Sequence, residues 1–246
     1  MMERGRQAAI GLALAAAVAA AFVGLHVYAV FFHPLEGWGL AAAPVLVAVL
    51  CWLDVGLFIV AHDCMHGSLA PGRAAVNRWV GRVALALYAG FSFDRLLPKH
   101  FAHHKAPGTG DDPDYHEPHP RSFGRWYLAF FRQYFGWREL LVLTALVAVY
   151  VWVLGASYPN LLLFWALPAI LSSLQLFLFG TFLPHRLDDG DFADRHRARS
   201  NGYGWLLSLL TCFHFGYHHE HHRAPHVPWW KLPEARRGGS RAGAPR

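Results

Sequence analysis

Residues 38–66 read WGLAAAPVLVAVLCWLDVGLFIVAHDCMH, and this stretch frames the interpretation of the whole chain. From Trp38 to Ala61 it is apolar apart from Asp54, and it exceeds the roughly 20 residues that a helix needs to cross a bilayer. His62 and His66 follow directly, and residues four apart lie on one face of a helix. The stretch therefore predicts a transmembrane helix that presents two imidazoles at one membrane surface.

The composition also indicates a membrane protein. Of the 246 residues, 54% are hydrophobic and 15% are charged, whereas soluble domains carry about 25% charged residues. This apolar content excludes an intrinsically disordered chain, and three cysteines are too few for a disulfide-rich secreted module. The chain therefore lacks the polar surface that a water-soluble fold requires.

Three further stretches are long and apolar enough to cross the membrane, namely residues 8–32, 140–158 and 161–183. Together with residues 38–61 they predict an all-α integral membrane protein with four transmembrane helices. The alternative for residues 8–32 is a signal peptide, but their apolar run is longer than the usual core of about 7–15 residues, which favours a retained helix. We expect a single domain over residues 1–235 and a disordered tail, rich in Gly and Arg, over residues 236–246.

The basic residues predict which segments share one side of the membrane. All 22 Lys and Arg residues lie in the N-terminus, in residues 62–139 or in residues 184–246, and the turns at 33–37 and 159–160 contain none. The positive-inside rule places these basic segments, and both termini, in the cytoplasm. Because the basic residues flank the bilayer, the net charge of +6 indicates contact with lipid headgroups and gives no reason to expect nucleic acid binding.

Histidines form three clusters on this predicted cytoplasmic side. The clusters are His62 and His66; His100, His103 and His104; and the run His218-His-Glu-His-His222, whose His218, His221 and His222 repeat the spacing of the second cluster. Packing so many imidazoles together without a metal would bury mutually repelling, partly protonated groups. Eight nitrogen ligands exceed the needs of one ion and suit two, and imidazole is a ligand for zinc, copper, iron and nickel. The clusters therefore predict a dinuclear metal centre in a cytoplasmic helical cap.

The histidine clusters resemble the boxes of the membrane fatty acid desaturase and hydroxylase superfamily. Longer motifs resemble the bacterial β-carotene ketolases, or carotene 4-oxygenases. They are HDCMHGS at 62–68, HHK at 103–105 with DDPD at 111–114, GTFLPHR at 180–186, DRHRARS at 194–200, CFHFGYHHEHH at 212–222 and PWWKLP at 228–233. The resemblance extends from about residue 50 to residue 233.

This resemblance implies a diiron centre that uses dioxygen. It implies a ninth ligand beyond the boxes, for which His185 is the best candidate and His214 the alternative. The implied metal ligands are His62, His66, His100, His103, His104, His185, His218, His221 and His222. Residues expected to support these ligands are Asp63, Asp112, Asp114, His196, His214 and His219, since metal-bound imidazoles commonly donate their other N–H to a neighbouring group.

Asp54 is treated separately because a carboxylate inside a membrane span is costly and is a functional candidate. It lies eight residues before His62, on the same helical face. Two interpretations remain open. Asp54 either orients a ligand or polarises the end of the substrate, or it is a hydrogen-bonded structural acid.

The resemblance further implies oxygenation at C4 of the β-ionone rings, from β-carotene through echinenone to canthaxanthin, and towards astaxanthin if hydroxylated rings are accepted. The chain has neither a flavin nor a nicotinamide fingerprint, so electrons are expected from an external donor such as reduced ferredoxin. The expected location is the bacterial inner membrane. Candidate residues lining a substrate slot are Phe91, Phe93, Trp205 and Phe213, with packing or anchoring at the membrane edge as the alternative for each.

Three other functions compete with this one. The first two, a carotenoid ring hydroxylase and a fatty acid desaturase, use the same chemistry. The third is a metal transporter, which belongs to a different class. A transporter would place ionisable ligands near mid-membrane on several spans, whereas here Asp54 is the only charged residue deep in a span.

Overall fold

The computed structural model describes residues 2–187 and 192–242, and the chain in these ranges is helical with irregular connections. We number the helices in chain order. They are α1 Met2–Phe31, α2 Gly37–His66, α3 Ala74–Ala89, α4 Phe93–Lys105, α5 Phe123–Tyr134, α6 Trp137–Val153, α7 Tyr158–His185, α8 Trp205–Cys212, α9 His218–Arg223 and α10 Leu232–Ala242. The all-α prediction is confirmed for the described residues.

Helices α1, α2 and α7 are each long and apolar enough to cross a membrane. Helices α5 and α6 meet the same criterion only as a pair, and they are bent by 76° at the break between them. The structure therefore has three candidate spans, or four if the bent pair counts as one, where the sequence predicted four straight spans. The break falls at Gly136, whose backbone N–H donates to the Glu139 carboxylate at 3.1 Å and so begins α6 as a new helix.

The hairpin between the last two spans is shifted relative to its prediction. The turn was expected at residues 159–160, but α6 ends at Val153 and α7 already begins at Tyr158. Gly155 takes the left-handed conformation, with φ of 71°, that the turn requires. Pro159 lies in the first turn of α7, because a residue without an N–H costs no hydrogen bond there.

Helix α2 is the central element of the fold. It packs against α1, α3 and α7, and side chains along most of its length are buried. It continues beyond the predicted end at Ala61 as far as His66, and Gly67 ends it in the left-handed conformation with φ of 68°. A single continuous helix therefore carries the apolar span and the first histidine pair.

The first helix is part of this core, as expected for a retained helix. Phe22 and Ala29 of α1 are buried. The Gln7 amide donates to the Ser68 carbonyl at 2.7 Å, and Gly11 lies so close to the Leu69 carbonyl that no side chain would fit there. The N-terminal part of α1 is thus anchored to the loop that follows α2.

The last described helix includes the first residues of the predicted tail. Disorder was expected from residue 236, but α10 continues to Ala242; residues 243–246 lie outside the described part of the chain. Arg236 donates to the Glu220 carboxylate at 3.0 Å and lies over the Tyr217 ring. These contacts hold the first residue of the predicted tail against α9 and Tyr217.

Candidate metal centre

The structure brings all nine predicted ligands together in two buried or half-buried groups. His62, His66, His100, His104 and His221 form the five-histidine group, and His103, His185, His218 and His222 form the four-histidine group. Within each group the ligand nitrogens lie within 4.8 Å of one another. Each group therefore has the composition and the size of a single-ion site.

The helices divide each three-histidine box between the two groups. On α4, His100 and His104 point into the five-histidine group and His103 into the four-histidine group. On α9, His218 and His222 join the four-histidine group and His221 joins the other. His100 and His104 are four residues apart and share a helical face, whereas His103 is rotated by about 100° from His104 around the helix axis. One box can therefore contribute histidines to two adjacent groups.

The imidazoles of each group face one another through their Nε2 atoms. In the five-histidine group the Nε2 atoms of His66 and His100 are 2.6 Å apart, and those of His104 and His221 are 3.1 Å apart. In the four-histidine group the Nε2 atom of His218 is 3.0 Å from those of both His185 and His222. One proton cannot satisfy so many converging nitrogens, whereas a cation between them can.

Two of these rings are fixed in the tautomer that a metal needs. His103 donates from Nδ1 to both oxygens of Asp112 at 3.0 Å, and His185 donates from Nδ1 to the Arg197 carbonyl at 2.7 Å. With the proton on Nδ1, each ring presents an unprotonated Nε2 to the centre of its group. A hydrogen bond of this kind orients a metal-bound histidine and raises its basicity.

The environment keeps most of these imidazoles neutral. Burial, together with the neighbouring imidazoles, lowers the pKa of His104 to about 2 and holds the pKa values of His218, His221 and His222 well below their usual range. His103 is the exception: burial opposes its protonation, but its hydrogen bond to Asp112 and the nearby Asp114 raise its pKa. Neutral imidazoles are the form that binds metals.

The two groups are adjacent. The rings of His104 and His222, one from each group, stack with centroids 4.3 Å apart, and the rings of His103 and His104 are 5.7 Å apart. The arrangement therefore fits a dinuclear centre, and its all-nitrogen ligand set fits iron as well as zinc or copper.

His185, and not His214, lies in the four-histidine group. His185 is the last residue of α7 and is buried. The His214 ring instead packs near Trp205, Tyr217 and Trp229, at centroid distances of 5.3, 6.0 and 6.2 Å. The geometry favours His185 as the ninth ligand, and His214 has a packing environment.

Two of the predicted supporting carboxylates lie against ligands in the structure. Asp112 holds His103, as described, and also accepts from the Gly108 and Asp114 backbone N–H groups at 2.7 and 2.8 Å. Asp114 Oδ2 lies 3.8 Å from His103 Nδ1, and its other oxygen accepts from the Tyr134 hydroxyl. The Asp112 loop is thus shaped around His103.

Asp63 supports the centre less directly. Its Oδ2 accepts from the Trp229 backbone N–H at 3.0 Å, and its Oδ1 lies 3.7 Å from His62 Nδ1. This buried carboxylate ties the segment after α9 to the end of α2.

The other predicted supporting residues lie farther from the ligand nitrogens. His219 points away from both groups and pairs with Asp194 at 2.8 Å, and the His196 ring lies 6.2 Å from that of His222. Asp54 is buried in α2, about 12 Å along the helix from His62. Both interpretations of Asp54 therefore remain predictions.

Sequence reasoning missed three residues at the centre. The Arg197 carbonyl orients His185, the Tyr134 hydroxyl donates to Asp114, and the Phe215 ring lies 4.6 Å from that of His62. A backbone carbonyl has no residue-type signature, and an aromatic residue at a membrane edge is ordinarily an anchor, so none of the three carried a signal.

An apolar cavity of about 360 Å³ opens onto the histidines and extends between α2, α5, α6 and α7. Its metal end is formed by His62, His100, His103 and His218, and its far end by Trp165 and Ala166. We call it the aromatic cavity because its walls include Phe58, Tyr88, Phe91, Tyr127, Phe130, Phe131, Tyr134, Phe135 and Phe215. Along α7 the lining runs from Thr181 to Trp165, a rise of about 24 Å.

Of the four candidate lining residues, Phe91 lines the aromatic cavity. The other three pack elsewhere. The Phe93 ring lies directly against Gly81, Phe213 stacks on Trp52 with centroids 4.4 Å apart, and Trp205 is an exposed residue beside His214. For these three the alternative of packing or anchoring is correct, because each ring faces a neighbouring helix or the surface.

We expect Asp112→Ala to lower the affinity of the histidine groups for a metal ion such as iron by about 10–100-fold, because it removes the acceptor that orients His103. The affinity is measured from the iron that remains bound in a titration with a chelator. Asp111→Ala is the matched control, since Asp111 is the exposed neighbour in the same loop. Equal iron retention by the two variants would contradict the role of Asp112.

Comparison with known proteins places this fold and site in a family. The chain matches the sequence profile described as "Fatty acid desaturase" over residues 36–140 and 130–246. No solved structure matches the chain significantly.

The names of individual relatives are more specific than the family profile. The chain is 51% identical to a "Beta-carotene ketolase" of Paracoccus sp. (strain PC1), with 95% of each protein covered. It is 35% identical to a "Zeaxanthin 4-ketolase" of Chlamydomonas reinhardtii, over 92% of this chain and 53% of that protein. An "sn-1 oleoyl-lipid 12-desaturase" of Anabaena variabilis is 25% identical over 79% of this chain and 69% of that protein.

Proposed function

The chain belongs to the fatty acid desaturase family and, within it, to the β-carotene ketolases, and from this premise we propose that it is a carotenoid 4-ketolase with a diiron centre. The observation that carries the proposal is the aromatic cavity, which ends on both histidine groups. An apolar cavity that leads between the candidate spans to the histidine groups suits oxidation of an allylic C–H bond in a lipid-soluble substrate.

The proposed ligands are the nine histidines of the two groups, with His185 as the ninth. Bound iron would supply the activation of dioxygen and the removal of hydrogen from C4. C4 of the ring exchanges one hydrogen for a hydroxyl group and then does so a second time, and the resulting geminal diol loses water to give the ketone. Each hydroxylation consumes one dioxygen, two electrons and two protons, and releases one water.

The protein's own task is to position the substrate and to exclude water. The lining of the aromatic cavity extends along α7 from the histidines to Trp165, so it would hold a rigid, elongated polyene with one ring at the histidines. Its walls offer few polar groups, and the Tyr127 hydroxyl is already paired with Ser173 at 2.7 Å. Fixing the reacting carbon at the centre in this way supplies much of the rate enhancement that an enzyme provides.

The competing functions of the same family differ from this one in their products. A ring hydroxylase stops after one hydroxylation of each ring, and a desaturase acts on an acyl chain. The 51% identity to a β-carotene ketolase, against 25% to the lipid desaturase, favours the ketolase. A metal transporter would need ligands along a path through the membrane, whereas these nine gather at one end of α2 and α7.

The test is expression of the chain in a host that accumulates β-carotene, with pigments separated by chromatography and identified by mass. We expect echinenone and canthaxanthin, the latter with two oxygens gained and four hydrogens lost. A dihydroxy product would assign a hydroxylase. Unchanged β-carotene in membranes that contain the iron-loaded protein, supplied with a reduced electron donor, would contradict the proposal.

We place the metal centre and both termini on the cytoplasmic side of the bacterial inner membrane. With α5 and α6 counted as one span, the N-terminus, the segment between α2 and α5 and the segment after α7 share one side, and the turns at 32–36 and 154–157 on the other side contain no Lys or Arg. A C-terminal fluorescent fusion should therefore be fluorescent and a C-terminal phosphatase fusion inactive; the reverse would contradict the orientation. We expect reduced ferredoxin to supply the electrons and the basic face to suit an acidic donor. If purified membranes form product without an added electron donor, the expected dependence on reduced ferredoxin is contradicted.

A further inference from the structure

The ring of Phe215 closes the metal end of the aromatic cavity. It is buried, and it lies among ligand rings of both groups, with centroid distances of 4.6 Å to His62, 4.8 Å to His218 and 5.3 Å to His221. Phe215 also lines the cavity. A molecule that entered along α7 would therefore meet this ring beside the histidines.

The backbone before Phe215 is held in an uncommon conformation. Phe213 and His214 have φ values of 47° and 63°, and two successive non-glycine residues in the left-handed region are costly. Hydrogen bonds fix this turn: the Phe213 N–H donates to the Leu209 carbonyl, and the Phe215 N–H donates to the Cys212 carbonyl at 2.7 Å. The turn reverses the chain after α8 and directs Phe215 towards the cavity.

The opposite helix is shaped to accept this ring. Gly180 lies in a π-helical turn of α7 formed by Leu178–Phe182, and it also lines the cavity. A Cβ at position 180 would lie 2.9 and 3.1 Å from two carbons of the Phe215 ring. A methyl group at position 180 would therefore force the Phe215 ring to shift.

We propose that Phe215, backed by Gly180, is the depth stop of the aromatic cavity: it sets how far the substrate ring advances, and hence which carbon lies at the metal centre. This inference rests on the proposed ketolase activity and names the residue that would determine its regiochemistry. The ring makes apolar contacts only, so it acts by position and takes no part in the chemistry. A smaller side chain lets the substrate ring advance, and C4 then passes the point of oxidation.

The test compares Phe215→Leu with Phe213→Leu. Both residues are buried phenylalanines in the same turn, but Phe213 packs on Trp52 outside the cavity. For Phe215→Leu we expect oxygenation at C4 to fall by about 100-fold, as for a misplacement of about 1 Å, with oxygen appearing at other carbons. Phe213→Leu should give C4 products alone. Iron content and the absorption of bound β-carotene are measured alongside and should stay at the wild-type level in both variants.

Gly180→Ala and the double variant Gly180→Ala/Phe215→Leu provide a second readout. Gly180→Ala should displace the Phe215 ring into the cavity and reduce binding of β-carotene. The smaller leucine should relieve this contact, so the double variant should bind β-carotene better than Gly180→Ala alone. If the loss of β-carotene binding in the double variant equals the product of the losses in the two single variants, the two positions act independently. That result would contradict a direct contact between them.

Two outcomes overturn the inference. Wild-type products at the wild-type rate from Phe215→Leu would show that the ring does not limit depth. Loss of iron from Phe215→Leu would show that it serves to pack the ligands. Wild-type protein is assayed in parallel. Absence of ketone from the wild type would contradict the ketolase activity itself, whereas the two outcomes above contradict only the role of Phe215.

Discussion

We expect that replacing His221 by Ala abolishes ketone formation and removes iron from the protein. The His221 Nε2 atom lies 3.1 Å from that of His104, and its ring lies 4.5 Å from that of His62, so it closes the five-histidine group from α9. The substitution removes this ligand and leaves a buried cavity beside the remaining imidazoles. Mutation of a residue that only orients a metal ligand typically lowers metal affinity or activity by about 10–100-fold. For the proposed ligand His221 we therefore expect product to fall by at least about 100-fold, together with loss of iron. Iron is measured on the purified protein and product by chromatography.

His219→Ala is the matched control for this prediction. His219 is two residues away on the same helix, but its side chain pairs with Asp194 outside both groups. We expect iron content and product to stay within about twofold of wild type, as is usual for a substitution away from the site. Full activity in His221→Ala, or equal loss in the two variants, would contradict the assignment of the box.

Ala169→Trp should abolish product while leaving iron in place. Ala169 lines the aromatic cavity on α7, between the histidine end and Trp165. An indole at this position would fill the section of the cavity that the polyene must occupy, so the substrate ring could not reach the metal centre. We expect a loss of at least about 100-fold in ketone, as for other displacements of a substrate from its reactive position. Absorption of bound β-carotene measures the loss of binding directly.

Leu167→Trp places the same side chain on the same helix but towards the outside, because Leu167 is exposed and does not line the cavity. This variant should bind β-carotene and form ketone as the wild type does. Product from Ala169→Trp at the wild-type rate would mean that the substrate reaches the histidines by another route. Iron loss from Ala169→Trp would mean that the substitution disturbs the fold rather than the cavity.

The features predicted correctly from the sequence depend on residues close together in the chain. The span at residues 38–61 follows from local hydropathy, and the shared face of His62 and His66 follows from the helical period. The same period explains why His100 and His104 lie in one group in the structure, although the sequence pattern placed them in one cluster with His103. The prediction was less accurate at two places: the break between α5 and α6, and the turn before Tyr158, which lies earlier in the chain than expected.

The residues around the histidine groups include pairs that the sequence could not tell apart. Asp63, Asp112 and Asp114 were indistinguishable as carboxylates beside a box, but only Asp112 forms a hydrogen bond to a ligand nitrogen, while Asp63 ties in Trp229. Phe213 and Phe215 are two residues apart with the same side chain, and only the left-handed turn at 213–214 directs Phe215 into the cavity. These differences arise from contacts between segments that are distant in the sequence, which no local pattern records.

The sequence by itself determined the membrane class, the helical architecture and the eight histidines of the three boxes, because hydropathy and the spacing of three and four residues are properties of one helix at a time. The tertiary structure alone decided the division into groups of five and four, the placement of His185 rather than His214 beside the box histidines, and the contact of Phe215 with Gly180 at the cavity. The physical reason is that each group collects nitrogens from three separate helices, α2, α4 and α9 for the group of five and α4, α7 and α9 for the group of four, within a few ångströms of one point. Their approach is set by the packing of those helices against one another.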